Sequence, residues 1–271
     1  MNTYSIGKKA ICLALGVYEV WKERGETLAV LVERFRREMS IGGEIPITYA
    51  GRLDPMAEGV MILLVGDARF EKDSYLGFDK TYQFMVLFGV ATDTYDTLGL
   101  IINKQIPCLL PTNREGGQAI SKQITKEEIE KTLEAVKQKP LPYPPYSSKP
   151  VDGKPLFKYA REGVQPREIP MQKGVPKTIR YIKSEQVRLG DLIQKITSDV
   201  QKVTGDFRQA EIAEGWEALS QEQSAAIVEL CTFEVVVPSG VYIRSIAHEM
   251  GAKVGIPALA YSIIRTLIHK E

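Results

Sequence analysis

Histidine and cysteine are scarce in this 271-residue chain: two of the first, His248 and His269, and three of the second, Cys12, Cys108 and Cys231. Two histidines exclude a His-rich metal centre. Three cysteines, odd in number and far apart, fit neither a disulfide framework nor a zinc knuckle, so a reducing cytoplasm is the expected compartment. No apolar run approaches the roughly 20 residues of a membrane span. The opening MNTYSIGKKAICLALGVYEVWKE sets two lysines before a short apolar stretch, but Ala10 to Val17 is only eight residues and no small-residue cleavage site follows. A buried strand or helix, not a targeting segment, is expected there. Net charge is also lacking: 35 Lys+Arg against 34 Asp+Glu leaves +1, which predicts no general attraction to polyanions. A nucleic-acid partner would therefore need a local patch. What is present, 44% hydrophobic and 25% charged residues, describes a soluble globular chain with one large domain or two small ones.

Periodicity supplies the elements. Leu28, Leu31, Val32 and Phe35 fall at i, i+3, i+4 and i+7 and predict an amphipathic helix over 27–39, with Arg34, Arg36 and Arg37 near its end and Ser40-Ile41-Gly42-Gly43 terminating it. Val60–Gly66 reads as a strand covered on both faces, and Thr81–Phe88 and Thr232–Val237 as further strands. Thr125 and Glu128 have capping-box spacing ahead of a helix carrying Ile129 and Leu133. Five prolines between Leu141 and Pro155 enforce an extended, semi-rigid loop. A short helix follows at Leu156–Arg161, a strand at Thr178–Leu189, and a helix at Ile243–Ala252 that is expected to end near Gly251. The segment Leu192–Glu222, polar and mixed in charge, has no clear assignment. Long strands between helices, without regular βα alternation, favour an α+β fold with a mostly antiparallel sheet.

The near-neutral total hides a local asymmetry. Ser147–Lys183 carries nine bases against three acids, with Tyr143, Tyr146, Phe157, Tyr159 and Tyr181 within or beside it, whereas Asp206–Glu222 carries one base against five acids. Cations mixed with aromatics suit phosphate contact and stacking on looped RNA; a solvated, charge-decorated loop has the same composition. The sharpest local feature is Thr48–Gly66, TYAGRLDPMAEGVMILLVG. Here Pro55 restrains Asp54 to an extended backbone, and a small-residue turn at Ala57-Glu58-Gly59 leads into the apolar strand. Asp-Pro is also an ordinary turn former.

Gly51, Leu53, Asp54, Pro55, Ala57, Gly59 and Val60 stand in the order of the G-H-x-G-x-L-D-P-x-A-x-G-V-L loop of the TruB family of pseudouridine synthases, and this stretch resembles that loop. Further segments are similar in the right order: Lys80-Thr81-Tyr82; Gly89 with Thr92-Asp93-Thr94, Asp96 and Gly99; Pro144-Pro145-Tyr146-Ser147; Gly153-Lys154, Leu156 and Ala160-Arg161-Glu162-Gly163; Ser239-Gly240-Val241-Tyr242-Ile243-Arg244; and Arg265-Thr266.

The resemblance implies a pseudouridine synthase fold, with a mostly antiparallel mixed central sheet flanked by helices and a basic thumb loop. It also implies isomerisation of a uridine in RNA, most typically in the T-loop of tRNA at position 55. That reaction needs no cofactor, metal or energy source. Asp54 matches the nucleophile, which must be ionised. Arg244 matches its cationic partner, whose charge lowers a carboxylate pKa, and Tyr82 the aromatic lying against a base removed from its stack. Tyr49, Arg52, Lys80, Lys154, Arg161, Tyr242 and Ile263 fall at positions implied to contact substrate. Lys22, Gly25 and Thr27 match the family's K-P-x-G-x-T segment, with Glu23 at the usual proline. Tyr49 stands where the family has histidine and can fill a vacated stack as a flat aromatic. Arg52 makes an R-L-D triplet reminiscent of pseudouridine synthase branches acting on other RNA positions, but those lack the Tyr146-Ser147 to Leu156 segment.

The implied organisation is one catalytic domain over 1–271, a thumb-like segment at about 142–183, an insertion of unknown role at about 190–222, and no room after Thr266 for the C-terminal PUA domain of many members. A monomer in the cytoplasm is expected, with RNA as partner and neither membrane nor metal. Three other readings stay open: a synthase acting on a different tRNA or rRNA uridine, a non-catalytic RNA-binding or RNA-folding module, and a metabolic enzyme acting on a small acidic molecule. The last gives the basic, aromatic, proline-rich segment no role.

Overall fold

The structure, a computed structural model, describes residues 11–14, 16–106 and 124–270. Cys108 and the chain before Ile11 lie outside the described residues. The apolar stretch near the start is split between two antiparallel strands, β1 (Ile11–Ala14) and β2 (Val17–Lys22). β1 is an edge strand with Cys12 exposed, while Val17, at the start of β2, is buried. Helix α1 (Leu28–Glu38) starts where Thr27 accepts the Val30 N–H on its side chain and buries Leu31 and Phe35, as the spacing predicts.

Strands β3 (Ile47–Ala50) and β4 (Ala57–Val65) are followed by a 3₁₀ turn and the short α2 (Lys72–Leu76). Next come β5 (Lys80–Phe88), a small separate hairpin of β6 (Val90–Thr92) and β7 (Ile101–Lys104), and α3 (Lys126–Gln138). Thr125 and Glu128 form the expected capping box in both directions. The proline-rich loop stays extended apart from the two-residue pair β8 (Pro150–Val151) and β9 (Lys154–Pro155), and α4 (Leu156–Arg161) follows. The chain then forms β10 (Thr178–Arg188), α5 (Leu189–Lys202), α6 (Gln209–Gln223), β11 (Ile227–Val237), α7 (Ile243–Val254) and β12 (Ala258–Ile268).

The central sheet runs β1-β2-β4-β12-β5-β11-β10, with β3 beside β4. Only the β4–β12 pairing is parallel, so the α+β, mostly antiparallel expectation holds. Alternation along β5 sorts the core. Tyr82, Phe84, Val86 and Phe88 face the layer of α1, α3 and α7, while Leu87 faces the α5–α6 pair on the other side. Along β4, Met61 and Leu63 join the first layer; Val60, Ile62 and Leu64 form a third cluster with Tyr75, Leu76 and Phe78.

Two sequence expectations are corrected. Ala57-Glu58-Gly59 is not a turn: these residues are the first three of β4, held there by parallel pairing with Ile263-Ile264-Arg265 of β12. Gly51 to Met56 alone make the loop. Helix α7 does not end near Gly251 but runs to Val254, capped by Gly255 at φ 77°. Gly251 stays inside the helix because β12 packs against it, where an added Cβ would stand 2.6 Å from that of Ala258. The unassigned segment is the antiparallel pair α5–α6, with Ile193, Ile196, Val200, Ile212, Trp216 and Leu219 buried between it and the sheet.

Candidate active site

Two strands share one edge of β4: β12 lies against Ala57–Gly59 and β3 against Ile62–Val65. The loop from Gly51 to Met56 leaves the sheet between them. It is folded by an Ala57 N–H to Asp54 C=O hydrogen bond of 3.0 Å. Lys22, wholly buried at the end of β2, donates from Nζ to the carbonyls of Ala57 at 2.6 Å, Pro55 at 3.2 Å and Glu23 at 3.1 Å. Burial pushes the Lys22 ammonium down to about 8, against the pull of Glu26, Asp54 and Glu58. The carboxylate of Asp54, a third exposed, projects into a cleft of about 580 Å³.

On the far wall α7 begins just after Tyr242. A cation in its first turn opposes the helix dipole, and Arg244 meets that cost with two carboxylates. Its Nε donates to Asp54 Oδ2 at 2.8 Å, and Asp96 Oδ2 lies 3.6 Å away. Nη1 donates to the Thr94 carbonyl at 2.6 Å and Nη2 to that of Tyr146 at 3.1 Å. Burial disfavours the Arg244 charge, but Asp54 and Asp96 outweigh it and hold the guanidinium above its ordinary pKa. Asp96 is buried, which raises its pKa against the influence of Arg244, and its Oδ1 accepts from Thr94 Oγ1 and the Leu98 N–H.

The floor is cationic and aromatic. Tyr82 is buried at the start of β5, with its hydroxyl accepting from Arg265 Nη1 at 3.4 Å. Arg265 is fully buried, and its Nε donates to the Val60 carbonyl at 2.6 Å. Lys80 donates to the carbonyls of Phe78 and Leu76; burial and then Arg265 push its ammonium down to about 8. Beside Arg265, Gly59 takes φ 122°, and a Cβ there would stand 2.2 Å from the Arg265 carbonyl, so only glycine permits this crossing.

Asp54, Arg244, Tyr82, Arg52, Lys80, Arg161, Tyr242 and Ile263 thus line one cleft. Tyr49 and Lys154 are not among the residues that line it. Tyr49, on β3, accepts from Arg52 Nη2 at its hydroxyl and lies under Lys72. Lys154 pairs with Glu162 over the Tyr159 ring. The segment 142–183 is pinned at its base: Gln172 Nε2 donates to the Pro142 carbonyl at 2.8 Å, Gln172 Oε1 accepts the Tyr242 N–H at 2.9 Å, and Ser245 donates to the same Pro142 carbonyl. Tyr143 is buried against Tyr242 and is unavailable for stacking, and Thr178–Lys183 belong to β10.

Asp96 and Arg265 have roles that pattern reading missed, although both stand in matched segments. Phe207 and Arg208, from the unassigned segment, also line the cleft, and no local signal announces them. Among the described residues no group of His, Cys, Asp or Glu is arranged to hold a metal, and no helix is long and apolar enough to cross a membrane.

Comparison with known proteins bears on the family and the fold. Residues 41–206 match the family model for TruB family pseudouridylate synthase (N terminal domain). The chain is 27% identical to tRNA pseudouridine synthase 4 of Schizosaccharomyces pombe, over 86% of this chain and 67% of that one. To tRNA pseudouridine synthase B of Lactobacillus acidophilus it is 29% identical over 90% and 65%. It thus spans about two thirds of the length of these curated relatives. Two solved structures share the fold: an H/ACA RNP bound to a substrate RNA containing 2'-deoxyuridine, and a Cbf5-Nop10-Gar1 complex. They are 13% and 15% identical with TM-scores of 0.52 and 0.51, each covering 93% of this chain and 47% or 48% of theirs. The chain belongs to the TruB family of pseudouridylate synthases.

Proposed function

We propose that this protein isomerises a uridine of tRNA to pseudouridine, with the T-loop uridine at position 55 as target and Asp54 as nucleophile. The observation that carries the reading is the Asp54–Arg244 pair, 2.8 Å apart in a cleft of about 580 Å³. In the isomerisation the N1–C1′ bond breaks, a C5–C1′ bond forms, C5 gives up its proton and N1 takes one up, so atoms and electrons balance with no co-reactant. An ionised carboxylate can capture or detach the uracil. Arg244 aims the Asp54 carboxylate through its Nε hydrogen bond, Tyr82 offers a ring face to the extruded base, and Ile263 packs beside it. Tyr242 and Lys80 complete the lining of the cleft.

The segment 142–183 supplies the grip. Its base is tied to the start of α7, while Lys158, Arg161, Arg167 and Lys173 remain exposed. Exposed cations on α4 and on the loop that follows it suit the phosphates of a stem-loop. In this reading Tyr49 and Arg52 support the rim, Lys154 orders the loop, and the protein acts as a cytoplasmic monomer.

The test is to incubate the protein with a T-arm minihelix and with total tRNA transcripts, then map pseudouridine by nucleoside mass spectrometry and primer extension. Conversion at the T-loop uridine is expected. Pseudouridine only at another position overturns the target, and none in any RNA overturns the reading.

A further inference from the structure

The α5–α6 pair, which no motif accounts for, reaches the cleft at the connection between its helices. There Arg208 takes φ 61° and ψ 32°, a left-handed conformation that residues other than glycine rarely adopt. Strained backbone persists only where the surroundings hold it, and here the side chain is held on two sides. Arg208 Nη1 and Nη2 donate to the two carboxylate oxygens of Asp93 at 2.7 and 3.3 Å, and the guanidinium lies 4.5 Å over the Tyr146 ring.

Both partners lead to Arg244. Asp93 begins the turn whose next residue, Thr94, gives its carbonyl to Arg244 Nη1, and Tyr146 gives its own carbonyl to Arg244 Nη2. One side chain from the helical pair therefore grips both loops that supply the backbone acceptors of Arg244. The same turn is braced at two more points. Trp216 of α6 donates to the Thr97 carbonyl at 3.2 Å. Arg24, paired with Asp199 of α5 at 2.7 Å, reaches Thr97 Oγ1 at 3.4 Å.

We propose that Arg208 is a positioning residue for the Arg244–Asp54 pair, fixing the two carbonyls that aim the guanidinium. Its role in turnover rests on the proposed function; its role in holding Arg244 does not. A planar fork satisfies the bidentate pair and the ring contact together, which a lysine cannot do. Displacements of about 1 Å at a reacting centre cost on the order of 100-fold in rate, so a residue acting through the backbone acceptors of another can govern turnover.

The experiment compares wild type with Arg208→Ala and Arg208→Lys, and with Lys104→Ala as control. The control removes the exposed Lys104–Glu222 pair that ties the same α6 to β7. Hydrogen exchange at Arg244 Nε–H, read by ¹⁵N NMR and assigned with Arg244→Lys, should quicken by about tenfold or more in Arg208→Ala. It should quicken less in Arg208→Lys and stay unchanged in Lys104→Ala. On a T-arm minihelix the saturating single-turnover rate should fall by about tenfold to 100-fold in Arg208→Ala, with RNA affinity and its salt dependence kept. Unchanged Arg244 exchange, or equal quickening in the Lys104 control, overturns the proposal. So does a loss of affinity with a shallower salt slope at full saturating rate, which marks Arg208 as a phosphate contact. If wild type makes no pseudouridine, the proposed function fails, and the exchange measurement still decides the role of Arg208.

Discussion

Arg244 Nε lies 2.8 Å from Asp54 Oδ2 and 3.6 Å from Asp96 Oδ2, so one buried cation faces a buried carboxylate and a partly exposed one. Removing the cation leaves Asp96 buried without a charged partner. Arg244→Met should therefore lower the unfolding free energy by about 3–5 kcal/mol, the usual cost of breaking a buried pair from one side. The double variant with Asp96→Asn should recover part of that loss. Urea unfolding of the two single variants and the double variant checks both expectations; an additive result contradicts the coupling.

Lys22 hydrogen-bonds the reactive loop at backbone carbonyls, those of Pro55 and Ala57 on either side of Met56. Lys22→Met should keep RNA affinity within about threefold while the single-turnover rate falls by roughly tenfold to 100-fold, because the loop loses its fixed geometry. Filter binding and rapid-quench kinetics separate the two quantities.

Gly59 supports the same loop from below. An alanine there must hold φ 122° and meet the Arg265 carbonyl at 2.2 Å. Gly59→Ala should cost about 3 kcal/mol or more of stability, from backbone strain and displacement of β12 from β4. Thermal and denaturant unfolding measure it, and an unchanged midpoint contradicts the packing described.

Lys80 gives a pH signature. Burial, then the Arg265 charge, holds its folded pKa near about 8, below the 10.5 of an ordinary lysine. Between those values the unfolded chain binds a proton that the folded chain has released, so stability rises with pH across that window. The stability of wild type minus that of Lys80→Met should grow by about 2 kcal/mol from pH 7 to 9.5. Lys22, present in both proteins, cancels in the difference. A flat difference contradicts a desolvated ammonium at this site.

Legibility in the sequence followed the range of the interaction. Helix α1, the capped α3 and strand β5 were readable because periodicity and capping act over a few residues. Asp54 and Arg244 were readable through their flanking motifs, although they are 190 residues apart. The start of β4 was misplaced because Ala57-Glu58-Gly59 looks like a turn until β12 pairs with it. The α7 boundary was misjudged because Gly251 serves packing and Gly255 termination. The α5–α6 pair was missed even though its apolar positions repeat at helical spacing, since the polar residues between them dilute the pattern. Its contribution to the cleft, Arg208 against Asp93, joins residues 115 apart with no local trace.

Everything proposed for the cleft turns on the Asp54 carboxylate. Asp54→Asn keeps the side-chain shape and a carbonyl oxygen toward Arg244 but removes the charge and the nucleophile. Single-turnover conversion of a T-arm minihelix, followed by nucleoside mass spectrometry, is the most direct measurement. The predicted result is a rate at least about 1,000-fold below wild type, with RNA affinity within about threefold, since only the transition state loses an interaction. Pseudouridine formed at the wild-type rate by Asp54→Asn would contradict the account.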